Sequence, residues 1–262
     1  MLPKPPILKL SHVRWIFFDL GNTLISEEKA IKDRIQQMVR AFAERDIQVS
    51  AEAIEWAFEE ASAEFAPRLI VRAIEKLASN PSDRAFVLQK VKYRKKLEEP
   101  YSEAFEVISR LAQRYRIGVI ANQSAGAEAR LKSYGLDYFI SLCISSTEVG
   151  LKKPEPAIFQ LALELAKCQP HQAVMIGDRI DNDIRPAKSL GWKTIRVLQG
   201  FAKMQTPRNP TEEPDFTVSN LKEIISFCSP LPKGAGGCFL FGNENKTKIG
   251  DSVICDARKY EY

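Results

Sequence analysis

Short apolar runs alternate with helical periods along residues 104–227, and this alternation constrains the fold more than any other feature of the sequence. Such runs are typical of buried strands, whereas apolar residues that recur every three or four positions predict helices. Strands that alternate with helices at this spacing form βαβ units, whose crossovers make the strands parallel. We therefore predict an α/β fold built on a parallel sheet. The predicted strands are 13–18, 117–121, 139–144, 173–176, 194–198 and 216–218.

Residues 27–97 interrupt this alternation with helical periods alone. Apolar residues share helix faces at steps of three and four, and no strand pattern separates them. We therefore predict an all-helical module between the first and second strands. The clearest faces are Ile31, Ile35, Met38, Val39 and Phe42, then Ile54, Ala57, Phe58, Ala61 and Phe65, then Leu69, Ile70, Ala73, Ile74 and Leu77, and finally Val87, Leu88 and Val91.

Two further segments carry weaker patterns. Basic residues cluster at 90–96, where a solvated helix face is the first interpretation and guidance of an anionic substrate the second. Residues 229–262 combine a glycine- and proline-rich connector with two short predicted strands, 238–241 and 252–255. We assign no function to that C-terminal extension.

Composition excludes several classes of protein. No apolar run approaches the roughly 18 residues of a transmembrane helix, and the proline-rich start does not resemble a secretory signal. The five cysteines include no Cys-x-x-Cys pair, which favours reduced thiols and a cytoplasmic location over disulfides or a zinc site. A net charge of +5 does not by itself indicate nucleic acid. We expect neither a nucleic-acid nor a membrane partner, and the oligomeric state stays open.

Polar side chains follow the ends of several predicted strands. Asp19, Asn122 and Asp178 each come directly after or one residue beyond a strand, and Asp183 and Lys153 lie in the following loops. Ligands of open parallel sheets bind beyond the carboxyl ends of the strands, so these groups are expected to converge. Crowded carboxylates without nearby His or Cys favour Mg²⁺. A magnesium ion beside a lysine is suited to a phosphate group.

The order of these motifs resembles the haloacid dehalogenase (HAD) superfamily of hydrolases. The resemblance covers roughly residues 13–227 and implies a Rossmann-like core with an inserted helical cap of the C1 type. It implies core segments 1–25 and 101–228, a cap at 26–100 and an extension at 229–262. The motifs are Phe17-Phe18-Asp19-Leu20-Gly21-Asn22-Thr23-Leu24, then Ile120-Ala121-Asn122, then Lys153-Pro154, then Gly177-Asp178 with Asp183.

The resemblance also implies a catalytic and a metal-binding set. Asp19 would be the nucleophile that forms an aspartyl-phosphate. Its second oxygen would bind Mg²⁺ together with the backbone carbonyl of Gly21 and the carboxylates of Asp178 and Asp183. Lys153 would balance the negative charge of the phosphate and of Asp19.

A substrate-binding set follows from the same motifs. Thr23 would steady the nucleophile loop, and Asn122 lies where backbone N–H groups of the second motif would bind a phosphate oxygen. Lys153 would contact the phosphate as well. At Ala121 the related phosphatases usually have a Ser or Thr whose hydroxyl binds the phosphate. Losing such a hydroxyl costs roughly 1.5–3 kcal/mol.

The second departure from the family pattern is at Gly21, where phosphatase members usually have a general acid/base Asp. Losing such a group typically costs about 10²- to 10⁴-fold in rate. Either the leaving group needs no proton, or another carboxylate substitutes. The candidate substitutes are Glu27, Glu28, Asp33 and Asp181, and Ser124 is the candidate for the missing hydroxyl.

The sequence therefore favours a Mg²⁺-dependent phosphatase of small phosphorylated metabolites. The first alternative is a catalytically impaired protein that binds a phosphorylated ligand without turnover. The second is a haloacid dehalogenase, whose reaction needs no metal and leaves Asp178 and Asp183 without a role.

Overall fold

The fold was analysed in a computed structural model that describes residues 12–227 and the backbone of two further segments, 246–249 and 252–255. The strands are β1 Trp15–Phe18, β2 Ile25–Ser26, β3 Glu99–Pro100, β4 Arg116–Ala121, β5 Ile140–Ser145, β6 Ala173–Gly177, β7 Lys193–Val197, β8 Phe216–Val218, β9 Lys246–Ile249 and β10 Ser252–Cys255. The α-helices are α1 Glu28–Ala43, α2 Ala51–Ala63, α3 Leu69–Leu77, α4 Pro81–Lys90, α5 Ala104–Ala112, α6 Ala127–Ser133, α7 Ser146–Val149, α8 Pro156–Ala166, α9 Arg185–Ser189 and α10 Ile224–Phe227.

Six parallel strands form the core sheet in the order β8-β7-β6-β1-β4-β5. Helices flank the sheet, so the predicted α/β, Rossmann-like architecture is confirmed. Beyond β5 the sheet continues with β10, which is antiparallel to β5, and then with β9. The predicted strand at 252–255 is β10, β9 was not predicted, and the predicted strand at 238–241 lies outside the described residues.

Apolar side chains cover both faces of the sheet. Phe18 and Ile176 pack on the face that α5 covers, whereas their neighbours Phe17 and Met175 pack on the opposite face with Phe159 of α8. Successive residues of a strand point to opposite faces. A sheet buried on both faces therefore needs continuous apolar runs, which is the pattern of the sequence.

The helices α1–α4 have an apolar cluster of their own, which includes Met38, Phe42 and Ile74. The chain enters this helical segment beside β2 and leaves it beside β3, and these two short strands pair antiparallel. Phe58 in α2 stacks on Phe201 in the loop after β7, with ring centres 5.2 Å apart. This contact connects the helical segment to a loop of the core sheet. The assignment of residues 26–100 as a separate cap domain stays a prediction.

Two local predictions change in the structure. The fourth predicted helix ends at Lys90, so most of the basic cluster at 90–96 lies beyond it, with Lys95 and Lys96 in a short 3₁₀ turn. Lys90 pairs with Glu44 and Arg94 with Asp33, both on or next to α1. The helix predicted from residue 182 begins instead as a π-helical turn over Ile180–Ile184 that leads into α9. Within the described residues, no helix combines the length and apolarity that crossing a membrane requires.

Candidate functional site

Three carboxylates meet at the carboxyl edge of the sheet. Asp19 follows β1 and Asp178 follows β6, and because these strands are parallel neighbours, both side chains emerge at the same edge. The π-helical turn after β6 brings Asp183 back to them. One oxygen from each of the three carboxylates lies within 4.8 Å of the others. The sequence prediction that these acids converge is therefore met in the geometry.

Lys153 bridges two of these acids. Its Nζ donates to Oδ1 of Asp19 and to Oδ1 of Asp183, each at 2.6 Å. Burial opposes the charge of this lysine, but the two carboxylates outweigh burial and raise the pKa of Lys153. The lysine is therefore positively charged inside the site.

Asn122 holds the backbone of Lys153 in place. Its side-chain Nδ2 donates to the Lys153 carbonyl at 2.7 Å, and its Oδ1 accepts from the Lys153 N–H at 2.8 Å. The side chain of Asn122 thus contacts the lysine loop, and this contact is one that the sequence did not predict.

The carboxylates repel one another in the absence of a cation. Burial, followed by the negative charges of Asp183 and Asp19, raises the pKa of Asp178 well above its usual value. Burial also raises the pKa of Asp183 to about 6, although Lys153 acts in the opposite direction. The three clustered carboxylates offer only oxygen ligands, which hard cations such as Mg²⁺ prefer.

The space beside Gly21 is filled by the carboxyl group of Glu27. A Cβ atom placed on Gly21 would lie 2.6 Å from Oε1 of Glu27. Asn22, in the same turn, donates from Nδ2 to the other oxygen of Glu27 at 3.1 Å. The space that a side chain at Gly21 would occupy is thus taken by a side chain from the start of α1.

Glu27 is also the acid whose environment favours a proton. Burial raises the pKa of Glu27 to about 7, and the negative charges of Glu98 and Asp19 add to this effect. Glu98 is fixed by Arg130 at 2.7 Å and by the hydroxyl of Tyr93 at 2.8 Å. A group with a pKa near neutrality exchanges protons in both directions at physiological pH.

The other candidate substitutes have different partners. Glu28 is exposed and pairs with Lys32, Asp33 pairs with Arg94, and Asp181 is held by Arg179. The candidate hydroxyl of Ser124 is exposed and accepts from Lys95.

Two of the predicted substrate-binding residues, Ala121 and Thr23, are buried and form no side-chain hydrogen bond within the described residues. Ala121, at the end of β4, is fully buried. Thr23 is fully buried as well. The hydroxyl of Thr23 has no hydrogen-bond partner among the described residues. The methyl group of Ala121 offers no hydrogen-bond donor to a phosphate oxygen.

A cavity of about 210 Å³ opens between the helical segment and this edge of the sheet. The acids and Lys153 form its floor, and side chains from α1, α2 and α3 and from the loop after α4 form its roof. Cavity-lining residues that the sequence did not assign to the site are Ile31, Arg34, Phe58, Ser62, Leu69, Tyr93, Gln123, Arg179, Asn182, Phe201 and Ala202. One signal was available, because Glu27, Ile31 and Arg34 recur at steps of four and three and so share one side of α1.

Comparisons with known proteins identify the family of this chain. The model of a family described as haloacid dehalogenase-like hydrolase matches residues 13–191. A glyceraldehyde 3-phosphate phosphatase of Methanopyrus kandleri is 25% identical over 231 residues, which are 84% of this chain and 99% of that protein. A phosphoserine phosphatase of Thermus thermophilus is 29% identical over 164 residues, 62% of this chain and 64% of that protein.

A solved structure with a similar fold contains magnesium. It is the HAD-hydrolase YfnB of Bacillus subtilis, bound to magnesium, with a TM-score of 0.60 and 20% identity. The similarity covers 84% of this chain and all of that one (100%). At this identity the comparison supports the fold alone.

Proposed function

The chain belongs to the haloacid dehalogenase-like hydrolases, and from that premise we propose that it is a Mg²⁺-dependent phosphatase of small phosphorylated metabolites. The observation that carries the proposal is the convergence of Asp19, Asp178 and Asp183 around Lys153 at the floor of a small cavity. The two relatives named above are phosphatases of small phosphorylated compounds, which supports the same reaction class.

In the first half of the proposed reaction, Asp19 is the nucleophile. One carboxylate oxygen attacks phosphorus, the bond from phosphorus to the leaving oxygen breaks, and an aspartyl-phosphate forms. The leaving oxygen takes a proton from Glu27, whose carboxyl group stands where the usual acid is absent at Gly21. Lys153 stabilises the charge that accumulates between the phosphoryl oxygens and Asp19.

The second half reverses the role of Glu27. The carboxylate takes a proton from a water molecule as the water oxygen bonds to phosphorus, and the bond to Asp19 breaks. Inorganic phosphate leaves, and Asp19 and protonated Glu27 are restored. Glu27 thus donates a proton in the first half of the reaction and accepts one in the second half.

A divalent ion would be held by Asp19, Asp178, Asp183 and the carbonyl of Gly21. It would supply positive charge that reduces the repulsion between the phosphate and the nucleophile. Thr23 and Asn122 are proposed to position the nucleophile loop and Lys153, respectively. The residues fit such an ion because the three acids offer only oxygen ligands, and a hard cation prefers these.

Gly21 and Ala121 favour a second candidate, a protein that binds a phosphorylated ligand without turnover. This candidate requires that Glu27 does not replace the missing acid. We also propose a cytoplasmic location, which the free thiols of Cys143 and Cys168 support.

Hydrolysis of an aryl phosphate such as p-nitrophenyl phosphate, with and without Mg²⁺, tests the proposal. We expect Mg²⁺-dependent turnover that falls roughly 10³-fold or more in Asp19→Asn, because an amide is a poor nucleophile. Asp46→Asn is the matched control, since Asp46 is exposed in the loop after α1 and should be replaceable. Turnover that survives in Asp19→Asn contradicts the phosphatase proposal, and no turnover by the natural chain favours the binding protein.

A further inference from the structure

Arg34 places an unpaired cation in the roof of the cavity. It lies on α1 and lines the same cavity as Asp19 and Lys153. Its guanidinium carbon lies 4.6 Å from the centre of the Tyr93 ring. Its Nε is buried, and among residues 12–227 no hydrogen-bond acceptor reaches that atom.

Arg34 forms no ion pair within the described residues, and Glu27 acts on it only over a longer distance. The ion pairs of the described residues leave Arg34 out, although its neighbours on α1, Lys32 and Asp33, are both paired. Burial lowers the pKa of Arg34, and the negative charge of Glu27 offsets this effect only in part. A buried guanidinium donor left unpaired is costly, and a ligand oxygen removes that cost.

The position of Arg34 along α1 separates it from the reacting group. Glu27, at the start of the helix, stands beside Gly21, and Arg34 follows seven residues later. At 1.5 Å per residue the two backbone positions are about 10 Å apart along the helix axis. The guanidinium forms no ion pair with Glu27, although both side chains line the same cavity and influence each other electrostatically. A ligand group bound at Arg34 would therefore belong to a part of the substrate other than the phosphoryl group at Asp19.

The floor and the roof of the cavity differ in charge. Three acids and one lysine occupy the floor, a combination suited to a divalent ion and a phosphoryl group. In the roof, Arg34 lines the cavity together with the apolar side chains of Ile31, Phe58 and Leu69. An anionic group is the polar group best matched to a single cation in such surroundings, because charge-assisted hydrogen bonds are the strongest.

We propose that Arg34 binds a carboxylate on the leaving group, so that the preferred substrate is a compact phosphomonoester with a second anionic end. This inference rests on the proposed function only for the placement of the phosphoryl group at Asp19. The cavity volume of about 210 Å³ lies below the roughly 300–1,000 Å³ of pockets for drug-sized ligands, and it selects for compact molecules.

Calorimetric titration with a matched pair of ligands tests the inference. 2-Phosphoglycolate carries the carboxylate, and 2-hydroxyethyl phosphate replaces it with a neutral hydroxymethyl group. Both are titrated with Mg²⁺ present into Asp19→Asn protein, which keeps the ligands intact. We expect tighter binding of phosphoglycolate, and a ratio of the two affinities that falls about 10- to 100-fold when Arg34→Gln is added.

Two further variants test which property of Arg34 determines the affinity ratio. Arg34→Lys should retain part of the affinity ratio, because it keeps the charge but loses the planar fork of donors. Arg40→Gln is the matched control, since Arg40 lies exposed on the same helix and does not line the cavity. The control should leave the ratio unchanged.

The possible outcomes separate this inference from the proposed function. A ratio near one in the parent protein, or a ratio that Arg34→Gln leaves intact, overturns the role of Arg34 even if aryl phosphate is hydrolysed. A ratio that depends on Arg34 supports the inference even if the natural chain hydrolyses nothing, in which case only the phosphatase proposal fails.

Discussion

A carboxyl group from the start of α1 stands against Gly21, where the proposed mechanism lacks its usual acid. The sequence identified the substitution and offered four acids as replacements. It did not distinguish among them, because the choice depends on how the first turn of α1 approaches the loop after β1. The 2.6 Å separation between Oε1 of Glu27 and a Cβ at Gly21 favours Glu27.

Glu27→Gln tests the proposed proton transfer. We expect kcat to fall about 10²- to 10⁴-fold on alkyl phosphates, because glutamine neither donates an acidic proton nor accepts one from water. The loss should be smaller on aryl phosphates, whose leaving groups need less protonation. Glu28→Gln is the matched control, since Glu28 is the next residue, exposed and paired with Lys32. Equal rates for the two variants would rule out the proposed role of Glu27.

The stability of the metal-free protein should depend on pH through the same residue. Burial raises the pKa of Glu27 from 4.5 to about 7, so between these values the folded state holds a proton that the unfolded state has lost. The free energy of unfolding therefore falls as pH rises through this window. The contribution that is lost amounts to roughly 3 kcal/mol.

Urea unfolding of the natural chain and of Glu27→Gln at pH 4.5 and pH 8 measures this effect. The variant should gain stability relative to the natural chain as pH rises, because its amide does not titrate. Parallel changes in the two proteins would show that Glu27 ionises as freely when folded as when unfolded.

At the scale of elements, strand ends were predictable and loop contacts were not. The parallel arrangement of β1 and β6 follows from their apolar runs, so the meeting of Asp19 and Asp178 could be predicted. The clamp between Asn122 and Lys153 could not, because it joins two irregular loops whose paths depend on packing. The π-helical turn that brings Asp183 to the site has no periodicity that distinguishes it from an α-helix.

Asn122→Ala should loosen the lysine loop. Two hydrogen bonds to the backbone of Lys153 disappear, and because the site is partly open to water, we expect a loss of about 1–2 kcal/mol in the free energy of unfolding. We also expect kcat to fall more than KM rises, since the position of the Lys153 ammonium matters most in the transition state. Urea unfolding and aryl phosphate kinetics provide both measurements. An unchanged kcat would limit Asn122 to a structural role.

At the scale of the whole molecule, the cavity exists only because the helical segment and the sheet edge face each other. Helical periods predicted the segment, and the acids at the strand ends predicted the floor. The roof residues Arg34, Tyr93 and Phe201 come from distant parts of the chain, and their meeting depends on packing between layers. Periodicity along the sequence gives no measure of that packing.

Magnesium should stabilise the whole fold through the crowded acids. An ion at 100 times its dissociation constant raises the free energy of unfolding by about 2.7 kcal/mol. Asp178→Asn should abolish most of this increase and should itself be more stable than the natural chain without Mg²⁺, since one repelling carboxylate is gone. Asp181→Asn is the control, because Asp181 is held by Arg179 and is not one of the three clustered acids. Equal Mg²⁺-induced increases in both variants would argue against the proposed metal site.

Locating the phosphoryl group during turnover tests nucleophilic catalysis by Asp19 most directly. Glu27→Gln protein, mixed with Mg²⁺ and p-nitrophenyl phosphate and quenched in acid, should accumulate the covalent intermediate, because its hydrolysis lacks a base. Peptide mass mapping is then expected to find the phosphoryl group on Asp19. Phosphate release with a phosphoryl group on another residue, or with none on the protein, would contradict nucleophilic catalysis by Asp19.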